Sequence, residues 1–402
     1  MSLTFEFIQV AIGNRKSLSV AIDDADWHRL FEFCKRQAVL GIGFAAVERL
    51  HKVGVECPSS IRLQWYGYAL QIERMNEELN KQCGEITKWY EHDGLQCCIL
   101  KGQGNLLNYP EILRMRRTPG EIDLWCITPP CGLSMPNASL RDYTNYHGIN
   151  AVMEYVRMQY RLQGIDANPK ACYHHIDAPS MDGTKVEVHY RPAFLRSPLR
   201  NWRMQRWFEH HADECMKNKT HLGFSMMTSS VNVVYQMCHL YTHVFEGGVG
   251  LRQLMDYYFA LRVWHNDLEE KKELESKGVL IEGHGSAVMS PSQVMSVFRS
   301  FGMAKFASAV MSVLHEVFAM PTHYYICEPN EKEGKKLLAD IMNIGNFGHY
   351  NSKKPNMYQH RLKYHIWKFK RMFLFAISYP EEALCEPVFR VWRKVWRKIV
   401  DY

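Results

Sequence analysis

The sequence lacks long hydrophobic runs. Within its 402 residues no uninterrupted apolar stretch approaches the roughly 18 to 20 residues that a membrane-spanning helix requires. The N-terminus, from Met1 to Glu6, also lacks a basic segment followed by a hydrophobic one, which is the pattern of a secretory signal. These absences predict a cytoplasmic protein without a transmembrane segment.

Paired cysteine motifs are missing as well. None of the 12 cysteines is spaced as Cys-x-x-Cys, and their spacing is not that of a compact disulfide-rich domain, so we expect mostly buried thiols. Internal repeats and low-complexity segments are also absent, while 47 % apolar and 23 % charged residues are typical of a folded protein. A chain of this length can bury a sizeable core.

Positive charge is concentrated in the tail. The net charge is +7, yet residues 353–402 alone contain 12 Lys and Arg against 4 Asp and Glu. Aromatic residues are interleaved with these bases, at Trp367, Phe369, Phe373, Trp392 and Trp396. Such helices can lie on an anionic membrane or contact nucleic acid, or can pack their aromatic side on the protein. We favour packing, because soluble monomers seldom expose a large apolar patch.

Hydrophobic periodicity divides the chain into three regions. Apolar residues recur every three or four positions in residues 1–93 and again in residues 198–402, which predicts two helical regions. Between them, residues 94–197 contain short β-rich runs separated by helical or loop stretches. We therefore predict an α+β fold in which a small mixed β-sheet core is flanked by an N-terminal and a C-terminal helical region.

Four runs are predicted to form the strands of this core, namely Leu95–Leu100, Ile122–Ile127, Cys172–Asp177 and Val186–Tyr190. The Asp182-Gly183 pair predicts a tight turn, which would join the last two runs as an antiparallel hairpin. That hairpin is expected to place its second strand near the sheet centre.

Two acidic residues on the second run indicate a metal site. Glu121 and Asp123 are separated by one residue, so their side chains leave the same face of a strand. Mg²⁺ is usually held by one or two carboxylates together with substrate phosphates, and the basic segment just before the pair suits such phosphates. The alternative is that the acids only solvate the exposed face of a half-buried strand.

A third acid favours the metal interpretation. Glu187 lies on the last predicted strand and shares its face with His189. If the two strands are neighbours, three carboxylates converge, which is sufficient to bind one or two Mg²⁺ ions for an in-line displacement at phosphorus.

Three motifs in order carry a family resemblance. They are Leu100-Lys101-Gly102, the segment from Arg117 through Gly120-Glu121-Ile122-Asp123-Leu124, and Val186-Glu187-Val188-His189. These motifs resemble the uncharacterised bacterial nucleotidyltransferase-like family of the DNA polymerase β type superfamily. The resemblance extends through His239 to His243 and Val249 to Asp256, and covers roughly residues 90 to 265.

The resemblance implies roles for individual residues. Glu121 and Asp123 match the metal-binding pair and Glu187 matches the third acid, so these three are the predicted catalytic and metal residues. Two departures stand out: the family usually has Asp where this chain has Glu121, and better-known superfamily members have Gly-Ser or Gly-Gly where this chain has Lys101-Gly102-Gln103. Nucleotide binding is therefore expected to differ in detail.

Further residues are predicted to contact the nucleotide. Lys101, Gly102 and Gln103 join an apolar strand to a predicted helix, where backbone N–H groups and the lysine can receive phosphate. Arg117 is the favoured arginine of the basic loop, although loop arginines are commonly just solvated. Arg252 and Asp256 stand four residues apart on a predicted helix, and they either pair with each other or close over the nucleotide or acceptor.

His239 and His243 are also four apart on a predicted helix, but no third ligand and no Glu after His239 complete a zinc motif. We expect them to line the cleft or pack in a polar core.

The resemblance implies a Mg²⁺-dependent nucleotidyltransferase, with Mn²⁺ as a possible substitute, which transfers a nucleoside monophosphate from an NTP to an acceptor. Sugar phosphates, small metabolites, proteins and RNA all remain open as acceptors. The alternative is a non-catalytic module of the same fold that senses nucleotides or binds proteins, and Glu121 in place of Asp is its main support.

Overall fold

A computed structural model describes residues 2–128, 148–167, 169–278, 288–345 and 360–400. The fold is α+β, as predicted, with one small mixed sheet among many helices. No helix in these ranges combines the length and the apolar composition needed to cross a membrane. The cysteines within the described ranges are free, and most of them are buried, as expected from their spacing.

The N-terminal region is helical, as its periodicity predicts. Its helices are α1 (Leu3–Ile12), α2 (Asp24–Arg36), α3 (Leu40–His51) and α4 (Ser59–His92). The first turn of α2 is closed by a reciprocal capping box between Asp23 and Asp26. With 34 residues, α4 spans about 50 Å and reaches from the N-terminal helices to the sheet.

Within the described part of the chain the sheet has four strands, β1 (Gln96–Ile99), β2 (Ile122–Ile127), β3 (His175–Met181) and β4 (Thr184–His189). Their order is β1-β2-β4-β3, with β2 and β4 parallel and the two outer pairs antiparallel. The predicted hairpin is confirmed, since Asp182 and Gly183 both have positive φ in the β3–β4 turn. The last strand along the chain therefore lies inside the sheet, beside β2.

The described residues between the strands form the helices α5 (Gln103–Leu106), α6 (Glu111–Arg114) and α7 (Gly148–Leu162). One sheet face is apolar and packs on α4 and α7, because Leu124, Val188 and Ile176 alternate with the polar residues of the strands. The polar residues therefore share the opposite face.

The C-terminal region is also helical. It contains α8 (Pro198–His210), α9 (Ala212–Lys217), α10 (Ser229–Glu246), α11 (Leu251–Ser276), α12 (Pro291–Ser300), α13 (Ala304–Phe318), a 3-10 turn (Thr322–Tyr324), α14 (Glu331–Ile344), α15 (Arg361–Ala376) and α16 (Pro380–Val400). A continuous buried cluster joins residues of α1 to residues of α10, α11, α13 and α16. The two helical regions thus share a core, and the division into three domains stays a prediction.

The tail is helical and docked, as predicted, but through fewer aromatic residues than expected. Phe389 is buried and stacks on Phe194 at 5.3 Å. The buried Arg196 guanidinium binds Glu386 at 2.6 Å and Glu382 at 3.1 Å, which ties α16 to the segment after the sheet.

The prediction that the tail buries its aromatic residues was wrong for part of the tail. Phe369 and Phe373 are 68 % and 67 % exposed, and Trp392 is also exposed. Leu362 and Ile366 continue the same side of α15 as a stripe at helical spacing, and the exposed Ile377 follows directly after the helix. Helical periodicity identifies this stripe, but it does not reveal which face contacts the protein.

Candidate active site

Two rows of side chains cross the polar face of the sheet. Asp123 on β2 is the register partner of Glu187 on β4, which in turn pairs with Asp177 on β3. In the next row, His189 of β4 lies between Trp125 of β2 and His175 of β3. Register partners project from the same face, so the acids of β2 and β4 lie side by side, as the sequence pattern predicts.

Lys101 lies among these acids. Its Nζ is 3.0 Å from Asp123 Oδ1 and 3.4 Å from Glu121 Oε1. The lysine follows β1, and the backbone N–H of Leu100 donates to the carbonyl of Asp123, which holds the end of β1 beside β2. Burial opposes the charge of Lys101, but Asp123 and Glu121 raise its pKa above the ordinary value. Lys101 is therefore a permanent cation within the acidic cluster.

A second lysine, which the sequence analysis did not single out, contacts the same acids. Lys185 of β4 donates to Glu187 Oε1, and its Nζ lies 3.6 Å from Glu121 Oε2 and 3.4 Å from Asp177. The three predicted site acids are thus neutralised in part by two cations of the chain itself.

Histidines complete the cluster. His189 Nε2 lies 3.1 Å from Asp123 Oδ1 and 3.4 Å from Glu187 Oε2, and His175 Nδ1 lies 3.5 Å from the same Glu187 oxygen. His174 Nε2 is 3.0 Å from His175 Nδ1. Burial lowers the pKa of His174 well below its ordinary value and that of His175 to about 4. Burial also opposes the charge of His189, but its contacts with Asp123 and Glu187 raise its pKa.

The three acids differ in their electrostatics. Burial would raise the pKa of Asp123, but Lys101 and His189 bring it below its ordinary value. Burial likewise opposes the ionised form of Glu187, and the neighbouring His189 and His175 lower its pKa. For Glu121, burial and then the charge of Asp123 raise the pKa. Asp123 and Glu187 are therefore the firmly ionised members, which makes Glu187 a weak general base.

The Lys101-Gly102-Gln103 segment forms a tight turn. Gly102 has φ +60°, and a Cβ there would lie 3.3 Å from the carbonyl oxygen of Glu121, so glycine is required for this close approach. The helix that follows, α5, has only 4 residues and offers little of the N-terminal dipole expected at this position. The Gln103 amide points to α4, where it donates to Asn80 Oδ1 at 2.7 Å and to the carbonyl of Asn76.

Arg117 and Asp256 form a buried ion pair. Nε and Nη2 of Arg117 contact the two carboxylate oxygens of Asp256 at 2.7 and 2.8 Å, and the Tyr109 hydroxyl donates to the same carboxylate at 2.7 Å. Arg117 was predicted to bind phosphate, but in the structure its charge is neutralised by Asp256 of α11. Asp256 thus pairs with Arg117, which neither of the two interpretations given for Arg252 and Asp256 had anticipated.

Arg252 lies next to this pair. Its Nη1 donates to the carbonyls of Thr118 and Pro119 at 3.3 and 3.2 Å, just before Glu121. Burial, and then the charge of Arg117, lower the pKa of Arg252 to about 10.

A small cavity of about 40 Å³ brings most of the predicted site residues together. Its lining includes Lys101, Gly102, Arg117, Glu121, Asp123, His239, Arg252 and Asp256. The cavity has room for a few water molecules at most, so a nucleotide requires it to widen.

His239 and His243 fall on α10. Their rings are 4.3 Å apart, and burial lowers the pKa of His239 well below its ordinary value and that of His243 to about 4. In the described ranges, neither histidine belongs to a group of residues close enough to share a metal ion. His239 is therefore a neutral histidine that lines the cleft, as expected.

A larger cavity, of about 760 Å³, opens at the carboxyl ends of β2 and β4. Its wall begins at Trp125, two residues beyond Asp123 on the same sheet face, and is mostly aromatic and aliphatic. Other residues of the wall are Tyr173, Tyr190, Arg191, Trp202, Phe208, Phe389 and Trp392. Its volume is in the range of small-molecule sites.

The acidic cluster fits a divalent cation. Donor atoms of Asp123, Glu187 and His189 all lie within 4.8 Å of one another, and carboxylate oxygens are the donors that Mg²⁺ prefers. Glu121 contacts Lys101 and Lys185 instead and is outside that group of three. The longer Glu121 side chain is thus the least well placed of the predicted ligands.

Several site residues were missed at the sequence level. His174 and His175 reach the cluster only because β3 and β4 pair in one particular register, whereas Lys185 lies on β4 itself. The only signal available was local, since His189 and Lys185 each stand two residues from Glu187 on the same strand face.

Acids on neighbouring strands of a small mixed sheet, beside a buried lysine, define a candidate site for transfer of phosphorus-containing groups. The chain belongs to a family described as uncharacterised nucleotidyltransferases, whose model matches residues 23–277. This match confirms the resemblance seen in the motifs, and it runs from α2 to α11 and includes every candidate site residue. No curated protein and no solved structure is significantly similar to the chain.

Proposed function

We propose that the protein is a metal-dependent nucleotidyltransferase of the DNA polymerase β type. It transfers a nucleoside monophosphate from an NTP to an acceptor in the cytoplasm and releases pyrophosphate. The observation that carries this proposal is the pairing of Asp123 with Glu187 on adjacent parallel strands, with Lys101 Nζ 3.0 Å from Asp123. Family membership supports the reaction type.

Asp123 and Glu187, assisted by Glu121, are proposed to hold Mg²⁺, for which Mn²⁺ can substitute. The bound ion supplies a positive charge for the phosphates and activates the attacking group. Lys101 has a second part in this scheme. Its ammonium contacts Asp123 and Glu121, and it would be free to contact the phosphates of the nucleotide if a metal ion took the oxygens of these acids.

Arg252 is the proposed phosphate-binding arginine, since it lines the small cavity and reaches the loop before Glu121. Arg117 instead positions that loop, because both carboxylate oxygens of Asp256 are engaged with it. Gly102 permits the close turn beside Glu121, whereas Gln103 anchors the turn to α4 and contributes indirectly to nucleotide binding.

The larger cavity is the best candidate for the acceptor, because its wall begins two residues beyond Asp123 on the same face. Its aromatic wall suits an acceptor with an apolar body, and Arg191 at the rim suits a polar or anionic group. Replacing the exposed wall residue Trp202 with Ala should raise KM for such an acceptor and leave the KM for NTP unchanged.

The proposal is tested with α-³²P-labelled NTPs, Mg²⁺ or Mn²⁺, and pools of small-molecule, protein and RNA acceptors. Wild-type protein should give a labelled product and pyrophosphate. Asp123→Asn should lower the rate by at least about 10²-fold, because it removes one charge at the metal without changing side-chain volume. Asp213→Asn is the matched control, since Asp213 is an exposed aspartate of α9 that pairs with Lys217 outside the acidic cluster.

Failure to label any acceptor, with Asp123→Asn and wild type indistinguishable in Mg²⁺-dependent NTP binding, would refute the proposal. The melting temperature of Asp123→Asn is measured first by circular dichroism, because Asp123 also binds Lys101. If the melting temperature is lowered, Glu187→Gln takes the place of Asp123→Asn in the same assay.

A specific observation favours a second candidate function, a non-catalytic nucleotide-sensing or protein-binding module. Lys101 and Lys185 together contact all three site acids, so the chain provides cations where a catalytic site needs open carboxylates. Calorimetry separates the two functions: tight NTP binding that is independent of Mg²⁺, without pyrophosphate release, would support the module.

A further inference from the structure

Three histidines meet at the edge of the acidic cluster. One ring nitrogen from each of His174, His175 and His189 lies within 4.8 Å of the others. His174 and His175 are consecutive residues where the chain enters β3, and His189 is the register partner of His175 on β4. The β3–β4 hairpin therefore brings together imidazoles from two segments of the chain.

The distances within this cluster match those of a metal coordination sphere. In a tetrahedral zinc site with bonds of about 2.0 to 2.1 Å, neighbouring ligand atoms are about 3.3 to 3.4 Å apart. His174 Nε2 and His175 Nδ1 are 3.0 Å apart, and Glu187 Oε2 lies 3.5 Å from His175 Nδ1. Both distances are close to tetrahedral spacing.

The bonding of His189 and Glu187 leaves donor atoms for such an ion. His189 is 3 % exposed and its Nδ1 has no hydrogen-bond partner within the described part of the chain, while Nε2 contacts Asp123. A carboxylate that holds one imidazole nitrogen is the usual companion of a metal-bound histidine. The two oxygens of Glu187 also have different neighbours. Lys185 donates to Oε1, and the histidines face Oε2.

The local charge also suits a cation. Asp123, Glu187 and Asp177 form the adjacent cross-strand row, and among the described residues Lys101 and Lys185 contact these acids and Glu121. The four carboxylates exceed the two ammonium groups, so a dication adds to an environment that is still negative.

We propose that His174, His175, His189 and Glu187 form a binding site for a divalent transition metal ion, with Zn²⁺ as the best match. Imidazole nitrogens suit Zn²⁺, whereas Mg²⁺ takes oxygen ligands, so this site selects a different ion from the proposed Mg²⁺ site, with which it shares Glu187. The inference does not depend on nucleotidyl transfer, because the ion binds whether or not the chain has that activity.

The test measures metal binding by the full-length protein without nucleotide. EDTA-treated, dialysed protein is titrated with ZnCl₂ by calorimetry, and bound zinc is counted by mass spectrometry after gel filtration. Wild type should retain one zinc ion more than His175→Ala and should bind it at least tenfold more tightly. His221→Ala is the matched control, since it removes an exposed histidine outside the cluster and should behave as wild type.

X-ray absorption of the zinc-loaded wild-type protein requires no variant, so unfolding of a variant cannot affect its result. The expected shell contains three imidazoles and one oxygen. Equal zinc content in wild type and a folded His175→Ala protein, or a wild-type shell with fewer than two imidazoles, would overturn the proposal. Zinc binding with no labelled product in the transfer assay would instead refute only the proposed function.

Discussion

The Lys101 ammonium lies 3.0 Å from Asp123 and 3.4 Å from Glu121, and so bridges an acid of β2 and the acid two residues before it. A cation built into the chain thus competes with any cation from solution for the same oxygens. The affinity of the acids for metal therefore depends on the position of the Lys101 side chain.

Lys101→Met should therefore have opposite effects on the two ligands. Removing the ammonium should strengthen Mn²⁺ binding in the absence of nucleotide by about tenfold, because an attraction of roughly 1 to 4 kcal/mol between nearby charges no longer has to be broken. NTP binding should weaken in the same protein. Mn²⁺ electron paramagnetic resonance and calorimetry measure the two effects. Lys219→Met is the control, because Lys219 is an exposed lysine that pairs with Glu91. Weaker binding of both ligands would contradict the proposed competition.

Arg117→Met should destabilise the protein by about 3 to 5 kcal/mol, because it leaves the buried Asp256 carboxylate without its cation. Arg117→Met combined with Asp256→Leu should recover most of this loss, since both charges are then absent. Urea unfolding of the two single variants and the double variant measures the coupling. A double variant as unstable as the sum of the single variants would show that the two residues act independently.

The two aromatic environments of the tail predict a contrast in stability. Phe389→Ala should cost about 3 to 5 kcal/mol, because the ring is buried against Phe194. Phe369→Ala should change stability by less than about 0.5 kcal/mol, because that ring is exposed on α15. Denaturant midpoints of the matched pair test this contrast. Similar losses in both variants would mean that the α15 stripe is covered in solution.

Glu6 predicts a pH dependence of stability in the N-terminal region. Burial alone would raise its pKa, but hydrogen bonds of 2.7 Å from the Ser19 N–H and hydroxyl, together with Arg15 at 3.3 Å, lower it below the ordinary value of 4.5. A pKa lowered by folding adds stability above pH 4.5, and this stability is lost as the pH falls through the lowered value.

Glu6→Gln should therefore lower the melting temperature at pH 7, and its difference from wild type should shrink as the pH falls below 4. Thermal unfolding across this range measures the effect, with the exposed Glu32→Gln as the control. A difference that stays constant from pH 7 to pH 3 would assign the loss to packing rather than to charge.

Local patterns predicted much of the sheet. Alternation placed Asp123 and Glu187 on strands, and the Asp182-Gly183 turn predicted the β3–β4 hairpin. Alternation also assigned Glu121 and Asp123 to one face, because side-chain direction along a strand depends only on position.

The remaining features depend on contacts between distant parts of the chain. The β2–β4 register determines that Asp123 meets Glu187, and the β3–β4 register brings His175 to His189. A pattern within one strand carries no information on the register of its neighbour. For the same reason, Arg117 was expected to face phosphate, although its carboxylate partner is 139 residues away on α11.

That separation bears on how the protein is made. The segment with Lys101, Arg117 and Asp123 leaves the ribosome well before α11, so the Arg117 guanidinium and the Tyr109 hydroxyl must wait for their common partner, Asp256. Contacts across such distances form late because long loops must close first. A nascent chain halted before α11 should therefore contain every acid of the site and still lack the ordered loop that leads into β2.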